Sequence, residues 1–570
     1  MTILDRLLPF LRWRHNFKRD HLRGDLTAGV SVALVMIPQS LAYAQLAGFP
    51  AHYGLYAAML PALVAALFGS APQLSTGPVA LTGMLTLASI APLAPPGSAE
   101  FITLGVLLAL LAGLIQLSLG ALRQGWVLNL LSRPVFSGFI NAAALLICLS
   151  QLPALVGIDG PHAPAMHAEI ARIAGALGAP HLPTLAFGGL SLAALIALNR
   201  LAPRWPGVLI VVVASILVSA HTGFEAAGGA VVGAIPAGLP PLSLPTLPGW
   251  TPLSGLLPAA FVLALVSFLE AASSCKPITE RTRQPWDENQ ELIGQGLAKI
   301  AAAFSGTLPT SGSFSRSALS YATGARSGLS QLVTVAVVLA ATLSLSHTLY
   351  HLPDAVLAAI IIHAIVKLLD FQTLRRAWRI DADDGLAASA TFVATLVFAP
   401  HLQNGILTGL LLSLSLLIWR SMKPRVALLG LHPDATYRDL DRFDLAHPHP
   451  AIVVLRFDGP LHFVNAARFT EAIDWARQAQ PGVRVVLLSA AGINAVDATG
   501  LDALRSAIAR LAADGQSLAL YGLKKQVIDR LERDGQWSEL AAHASYRHEQ
   551  AAIDALLAAH KGFDKLGGGG

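Results

Sequence analysis

Charge is scarce in this chain. Asp, Glu, Lys and Arg together make up 13% of its 570 residues, against about 25% in an average soluble domain. That shortage, beside a 54% hydrophobic content, argues against a soluble enzyme and for a membrane protein. Cysteine is nearly absent: Cys148 and Cys275 lie in or beside apolar runs and form no metal or redox spacing, so they read as small buried hydrophobes. A formal net charge of +5 is too modest to imply a nucleic-acid partner, and no motif calls for a cofactor or metal. The first long apolar run is followed by no small-residue cleavage site, so no signal peptide is expected.

What the chain does have is segmented apolar sequence. Runs of about 17 to 25 residues, the length that crosses about 30 Å of hydrocarbon, alternate with Gly, Pro and charged punctuation. About fourteen segments result, at 25–47, 51–69, 76–93, 101–122, 127–157, 182–201, 207–222, 255–275, 288–306, 311–323, 329–350, 353–370, 384–400 and 403–420. The basic residues sort by side. Arg123, Arg200, Arg204, Lys276, Arg281, Arg283, Arg326, Arg375, Arg376 and Arg379 all follow even-numbered segments. Arg12, Arg14, Lys18, Arg19 and Arg23 precede the first segment, and Lys423 and Arg425 follow the last. Arg172 is the exception on the other side. This is the positive-inside pattern, and it places both ends in the cytoplasm. The expected division is a cytoplasmic segment at 1–24, a transmembrane domain at 25–420, a linker at 421–448, a soluble domain at 449–560 and a flexible tail at 561–570.

Two short segments stand apart. The third begins "STGPVALTGML" at Ser75 and the tenth "TSGSFSRSALS" at Thr310, each just after a proline. Both hold the third place in their half of seven. Short, Gly/Pro-interrupted segments at matching places point to an inverted-repeat transporter with its site between half-helix N-termini; close helix packing through small residues is the plainer reading. Arg316 favours the first. A cation near a helix N-terminus opposes the dipole, and a charge at membrane depth is costly. A bound anion relieves both, and the helical wheel groups Ser313, Arg316, Ser317 and Ser320 on one face. Snorkelling to water or pairing with a carboxylate would also explain Arg316.

In the first segment Pro38 bends or breaks the helix, with Gln39 and Tyr43 on one face beyond it. Gln39 either donates to an anion or satisfies the carbonyl that Pro38 frees. Glu270 in the eighth segment is a candidate proton carrier, and Lys299 in the ninth either pairs with it or leaves it free. His363 and Lys367 read as interfacial. From Ala451, strands alternate with helices, as in a small α/β domain. There Asp497 and Thr499 precede a helix, where capping is the first reading and phosphorylation of Thr499 the second.

The stretches "IPQSLAYAQLAG", "HYGLYAAMLP", "STGPVALTG" and "GTLPTSGSFSRSALSYATGARSGLS" resemble the sulfate permease (SulP) anion transporters, and "DATGL" resembles their C-terminal STAS domain. The resemblance implies a polytopic α-helical membrane protein of about fourteen segments in a 7+7 inverted repeat, divided into core and gate, followed by an α/β STAS domain. It implies a homodimer in the cell (inner) membrane, with the N-terminus and STAS domain cytoplasmic and a possible cytoplasmic partner for the latter. Its implied activity is secondary active transport of a small inorganic anion, sulfate first, by an elevator-like movement coupled to a proton or sodium. Bicarbonate or a C4-dicarboxylate are alternatives within the family, and an anion channel is one outside it. By position, the substrate site would comprise Gln39, Tyr43, Val79, Ser313, Ser315 and Arg316, with Glu270 in coupling. Lys299 stands where relatives are expected to carry Asn, which puts the coupling ion in question. Ala498 stands where related bacterial regulators have Ser, with Thr499 keeping a hydroxyl beside it. An enzyme is not expected, because no Gly-x-Ser-x-Gly turn surrounds Ser315.

Overall fold

The structure is a computed structural model and describes residues 9–11, 19–158, 166–176, 181–202, 205–236, 238–245, 250–344, 346–535 and 546–559. Arg12, Arg14, Lys18, Arg204 and the tail 561–570 lie outside the described residues. The chain falls into two compact units, Met1–Ser413 and Leu414–Gly570.

The first half of the membrane unit contains α1 (Arg19–Leu46), α2 (His52–Ala57), α3 (Leu60–Phe68), a two-residue strand β1 (Thr76–Gly77), α4 (Ala80–Ile90), α5 (Ala99–Ala121), α6 (Arg133–Val156), α7 (Met166–Ala176), α8 (Leu182–Leu201) and α9 (Gly207–Thr222). The second half contains α10 (Trp250–Thr282), α11 (Glu288–Phe304), the strand β2 (Ser311–Gly312), α12 (Phe314–Ala322), α13 (Leu329–Ser344), α14 (Asp354–Val366), α15 (Phe371–Ile380), α16 (Ala382–Val397) and α17 (Leu402–Met422). A helix, or in the second and eleventh segments a pair, falls in each of the segments expected from the sequence. Six of the described helices are long and apolar enough to cross a membrane: α1, α5, α6, α8, α10 and α17.

Local sequence explains the ends. Ser98, Ser132 and Asp287 cap α5, α6 and α11 by accepting from Phe101 N, Val135 N and both Asn289 N and Gln290 N, which satisfies N–H groups that a helix leaves unpaired. Pro38 does not break α1, which runs unbroken from Arg19 to Leu46. Two elements were not foreseen. Helix α7 carries Arg172, the basic residue on the wrong side, in a 2.7 Å ion pair with Glu169. Helix α15 is a short amphipathic piece between α14 and α16.

Packing sorts the helices into two groups. One gathers α1 to α5 with α10 to α13, and the other gathers α6 and α8 with α14 and α16. Helices α5 and α11 meet through glycine: a Cβ on Gly113 would sit 2.8 Å from Gly296 O, and one on Gly296 2.6 Å from Leu117 N. Such contact replaces the hydrophobic effect as the adhesive between helices in lipid.

The C-terminal unit is a five-stranded sheet in the order β4-β3-β5-β6-β7, formed by Arg425–Leu431 (β3), Tyr437–Asp439 (β4), Ile452–Asp458 (β5), Val485–Ser489 (β6) and Ser517–Tyr521 (β7). Strand β3 runs antiparallel to β4 and β5, while β5, β6 and β7 are parallel. Helices α18 (Ala466–Gln478), α19 (Ala498–Ala513) and α20 (Lys525–Arg533) cover one face, through Phe469, Leu504 and Val527. Helix α21 (Glu549–Ala559) covers the other, through Ile553 and Leu556. The stretch 421–448 is therefore not a linker. Its apolar run "VALLG" gives β3 a buried central stretch that pairs with β5, so the soluble fold begins near Arg425.

Asp497 is the cap of α19. Its carboxylate accepts from Gly500 N at 2.8 Å and Phe463 N at 2.9 Å, whereas Thr499 stands exposed in the first turn. Partial desolvation opposes ionisation of Asp497, but these N–H groups outweigh it and hold the carboxyl below its ordinary range. Replacing Asp497 by Ala should cost about 1 kcal/mol locally and expose the Gly500 amide to hydrogen exchange about fivefold faster in the full-length protein. Unchanged protection there would remove Asp497 from the cap.

Candidate functional site

The two short strands meet. Thr76 faces Gly312 and Gly77 faces Ser311 in an antiparallel pair, extended by a 2.9 Å bond from Ser313 N to Ser75 O. Each strand feeds a helix, α4 from β1 and α12 from β2. The N-terminal ends of both, at Val79, Ala80, Ser313, Phe314 and Ser315, line one cavity of about 980 Å³. Non-helical backbone at this depth is tolerated because it is buried in protein or faces a cavity. Val79 is extended, with φ −140° and ψ 147°, and offers no side-chain cap, so the first N–H groups of α4 remain available at the positive end of a helix dipole. Ser313 caps α12 by accepting from Arg316 N at 3.5 Å.

Helix α1 closes the pocket. Gln39, Tyr43 and, from α10, Glu270 line the same cavity, which brings Gln39, Tyr43, Val79, Ser313, Ser315 and Glu270 around one space. Gln39 does not turn back to the carbonyl freed by Pro38; its Oε1 accepts from Arg316 Nη1 at 3.5 Å. With the oxygen so engaged, the amide nitrogen is the end of Gln39 left for another partner.

Arg316 is placed differently from the others. Its side chain is 0% exposed and does not reach the cavity wall, so it does not snorkel. Nη1 also donates to Pro78 O at 3.0 Å and Nε to Ser75 Oγ at 3.3 Å, while Nη2 has no hydrogen-bond partner. Among the described residues Arg316 makes no ion pair. Gly77 makes room for it, since a Cβ there would lie 3.3 Å from Nη2 and 2.4 Å from Met36 Cε. The helical face grouped from sequence splits accordingly: Ser317 and Ser320 are buried with Arg316, and Ser317 Oγ accepts from Ser75 N at 2.9 Å. Ser315, on the opposite side, is the exposed serine.

Lys299 does not pair with Glu270. Fully buried, it donates to Gln116 Oε1 at 3.0 Å, and the Gln116 amide donates on to Ala264 O and Ser267 Oγ. Glu270 accepts from Thr82 Oγ1 at 3.4 Å. His363 and Lys367, expected at an interface, line the cavity from the α14 side, which sequence spacing alone does not reveal. The cavity reaches Arg133, Asn199, Trp205 and Lys367, at helix ends on the side of the loops that follow even-numbered segments. At the opposite end of α14, Gln45 Nε2 donates to Asp354 Oδ1 at 2.8 Å and joins the two helix groups. On the mouth side, the buried Asp25 of α1 accepts from Arg326 N, Ser327 N and Ser327 Oγ, at 2.7, 3.1 and 2.5 Å. It thereby fastens α1 to the loop after α12.

Residues 22–391 match the model of the sulfate permease family. The chain belongs to the sulfate permease family. Residues 445–541 match the STAS domain, so the C-terminal unit is a STAS domain, and the whole is a multi-pass membrane protein carrying it. The chain is 34% identical over 519 residues to the probable sulfate transporter MT1781 of Mycobacterium tuberculosis, covering 90% of this chain and 92% of that protein. It is 30% identical over 552 residues to the chloroplastic sulfate transporter 4.1 of Arabidopsis thaliana, covering 93% and 80%. In fold it is similar to the murine Solute Carrier 26 family member A9 anion transporter in the inward-facing state, with a TM-score of 0.89 at 23% identity over 97% of this chain and 94% of that one. The transmembrane domain of the cyanobacterial bicarbonate transporter BicA aligns with a TM-score of 0.61 at 24% identity, over 70% and 98%.

Gln39 is held in place by tight packing behind it. A Cβ on Gly54 of α2 would fall 1.8 Å from Ser40 O, so Gly54→Ala must push α1 away at the residue next to Gln39. Overpacking of this kind costs about 1–3 kcal/mol, and the purified protein should melt several degrees lower. A wild-type melting temperature would show that α2 does not hold α1 there.

Proposed function

We propose that this protein is a secondary active transporter of inorganic anions with sulfate as its substrate. The anion binds between the N-terminal ends of α4 and α12, and an elevator-like movement of the α1–α5 and α10–α13 group carries it across. One observation supports this most directly: two helix N-termini face the same cavity, with the unpaired guanidinium of Arg316 buried just behind them. Each terminus carries about half a positive charge, so with Arg316 the pocket presents about two, which suits a divalent oxyanion better than a monovalent one. The sulfate transporters among the relatives point the same way. Bicarbonate, the substrate named for BicA, would leave half of that charge uncompensated.

The site residues act in two tiers. Ser313 and Ser315 offer hydroxyls, Val79 and Ala80 offer backbone N–H groups, Gln39 donates from its amide, and Tyr43 walls the pocket. Arg316 supplies charge from behind and orients Gln39 through its Oε1. Glu270, lining the cavity and free of Lys299, carries a proton through the cycle. Sodium is the alternative coupling ion. Lys299 contributes a fixed charge nearby, committed to Gln116. The Gln45–Asp354 bond seals the end away from the mouth and must open when the cavity faces the other way. The mouth is cytoplasmic, as the basic loops beside it imply, and the membrane is the cell (inner) membrane. The protein works as a homodimer, and the STAS domain, with Thr499 exposed at the α19 N-terminus, is available to a cytoplasmic partner.

Uptake of labelled sulfate, bicarbonate and succinate into proteoliposomes, with and without pH or sodium gradients, tests the reading. Sulfate should accumulate against its gradient when the outside is acidic; if no anion accumulates and none competes, the transporter reading fails. Arg316→Ala should weaken sulfate binding by at least tenfold in calorimetry, as expected for a charge-assisted interaction of about 1.5–3 kcal/mol. Equal affinity in a folded variant would take Arg316 out of the site. Glu270→Gln should lose pH-driven accumulation and keep sulfate–sulfate exchange, whereas loss of both would make Glu270 structural.

A further inference from the structure

Helix α15 (Phe371–Ile380), "FQTLRRAWRI", supplies none of the residues assigned to the anion, and its side chains are sharply sorted by face. At about 100° per residue, Arg375, Arg379 and Arg376 fall within one arc of about 100°. Phe371, Leu374 and Trp378, spaced i, i+3 and i+7, form the adjoining stripe. Ala377 faces the protein and is the buried residue of the helix. Helix α15 packs on α16 and α6. It comes close to α16 at Gly385, where a Cβ would lie 2.4 Å from Trp378 Cδ2 and 2.9 Å from Trp378 Cα.

The outward side is left uncovered. Phe371 is 50% exposed, Trp378 49% and Ile380 70%. Trp378 is nevertheless oriented, because its Nε1 donates to Ser389 Oγ at 2.9 Å. Arg375, Arg376 and Arg379 are exposed, and among the described residues none of their side chains makes a hydrogen bond or an ion pair. The acidic residues flanking the helix are turned to other work. Asp370 caps α15, accepting from Thr373 N and Thr373 Oγ1, and Asp381 caps α16, accepting from Asp383 N. A helix with an apolar stripe beside an unpaired arginine face lies in the plane of a membrane surface, apolar side in the acyl boundary and cations among the headgroups.

We infer that α15 is a binding site for anionic phospholipid, in which Arg375, Arg376 and Arg379 hold the phosphodiester headgroups of the leaflet on the mouth side while Phe371 and Trp378 enter its acyl layer. Planar guanidinium groups match phosphate oxygens in bidentate pairs. The surface is coupled to the cavity by its first turn. Asp370 and Thr373 line the cavity, and the Asp370 backbone is clamped by Asn141 of α6, which donates to Asp370 O at 3.0 Å and accepts from Asp370 N at 2.8 Å. Lipid that fixes α15 in the leaflet fixes this rim as well.

The test is phosphatidylglycerol binding to the full-length protein in phosphatidylcholine nanodiscs, read by native mass spectrometry, with thermal shift as a second readout. Neutralising Arg375, Arg376 and Arg379 together to Gln should weaken phosphatidylglycerol binding about a hundredfold, from roughly fivefold per cation near a charged surface. It should also abolish the rise in melting temperature that phosphatidylglycerol gives the wild type, while the melting temperature in pure phosphatidylcholine stays the same. Arg123→Gln, in another loop on the same side, should change neither. If the triple variant inserts in the wrong orientation, as cysteine accessibility would reveal, the single variants R375Q, R376Q and R379Q replace it, each expected to lose about fivefold. Wild-type lipid affinity in correctly inserted variants overturns the proposal and leaves these arginines as topology signals only. Because the readout is lipid binding, failure here is separable from any failure of sulfate to be transported.

Discussion

Everything in the membrane unit is arranged around one unpaired charge. Placing Arg316 at 0% exposure beside the positive end of its own helix is unfavourable twice over, through desolvation and through the dipole. The fold holds it there with neutral acceptors alone: Gln39 Oε1, Pro78 O and Ser75 Oγ. Neutral partners satisfy geometry without cancelling charge. A carboxylate in the same place would stabilise the protein and extinguish the field that the pocket presents. The antiparallel contact of β1 with β2 follows from this requirement, because it brings Ser75 and Pro78 of one half of the chain to the guanidinium of the other.

Buried cations in this protein are handled by one rule. Lys299, also fully buried, leans on the carbonyl oxygen of Gln116 although Glu270 belongs to the same interior. Both cations keep their charge uncancelled by direct contact, and Glu270 keeps a hydroxyl partner, Thr82. Charges held near one another without being paired create a pocket that responds to ions entering it. Acids placed for structure are treated in the opposite way: Asp25 and Glu291 are saturated by backbone and side-chain N–H groups and hydroxyls.

Much of this was legible in the sequence. Span positions follow from run length, and the paired half-helices from "STGPVALTG" and "TSGSFSRSALS" at matching places, because backbone punctuation by Gly and Pro is local chemistry. What the sequence could not convey was depth. A helical wheel puts Ser317 and Ser320 beside Arg316 but cannot say that this face points into protein, leaving Ser315 to the cavity. Nor could spacing reveal that His363 and Lys367 face the cavity, or that Lys299 turns to Gln116 from α5, 183 residues away. The strands β3 and β4 were missed because one is short and the other is separated by a loop from the alternating pattern that begins at Ala451. The pairing of β3 with β5 is a long-range contact that no window of sequence contains.

The clamp that Asp25 makes on the loop after α12 has a consequence for direction. It fastens the near end of α1 to the chain that carries Arg316, while Gln39 joins the same two elements at the pocket. In the elevator-like movement proposed above, a pocket whose walls are fastened to one another would travel without changing shape and would offer the same affinity wherever it opens. Such a carrier has no preferred direction of its own. Under that proposal, accumulation would be decided by the ions that accompany the substrate and by their concentrations on either side, and a reversed gradient would run the same machine backwards.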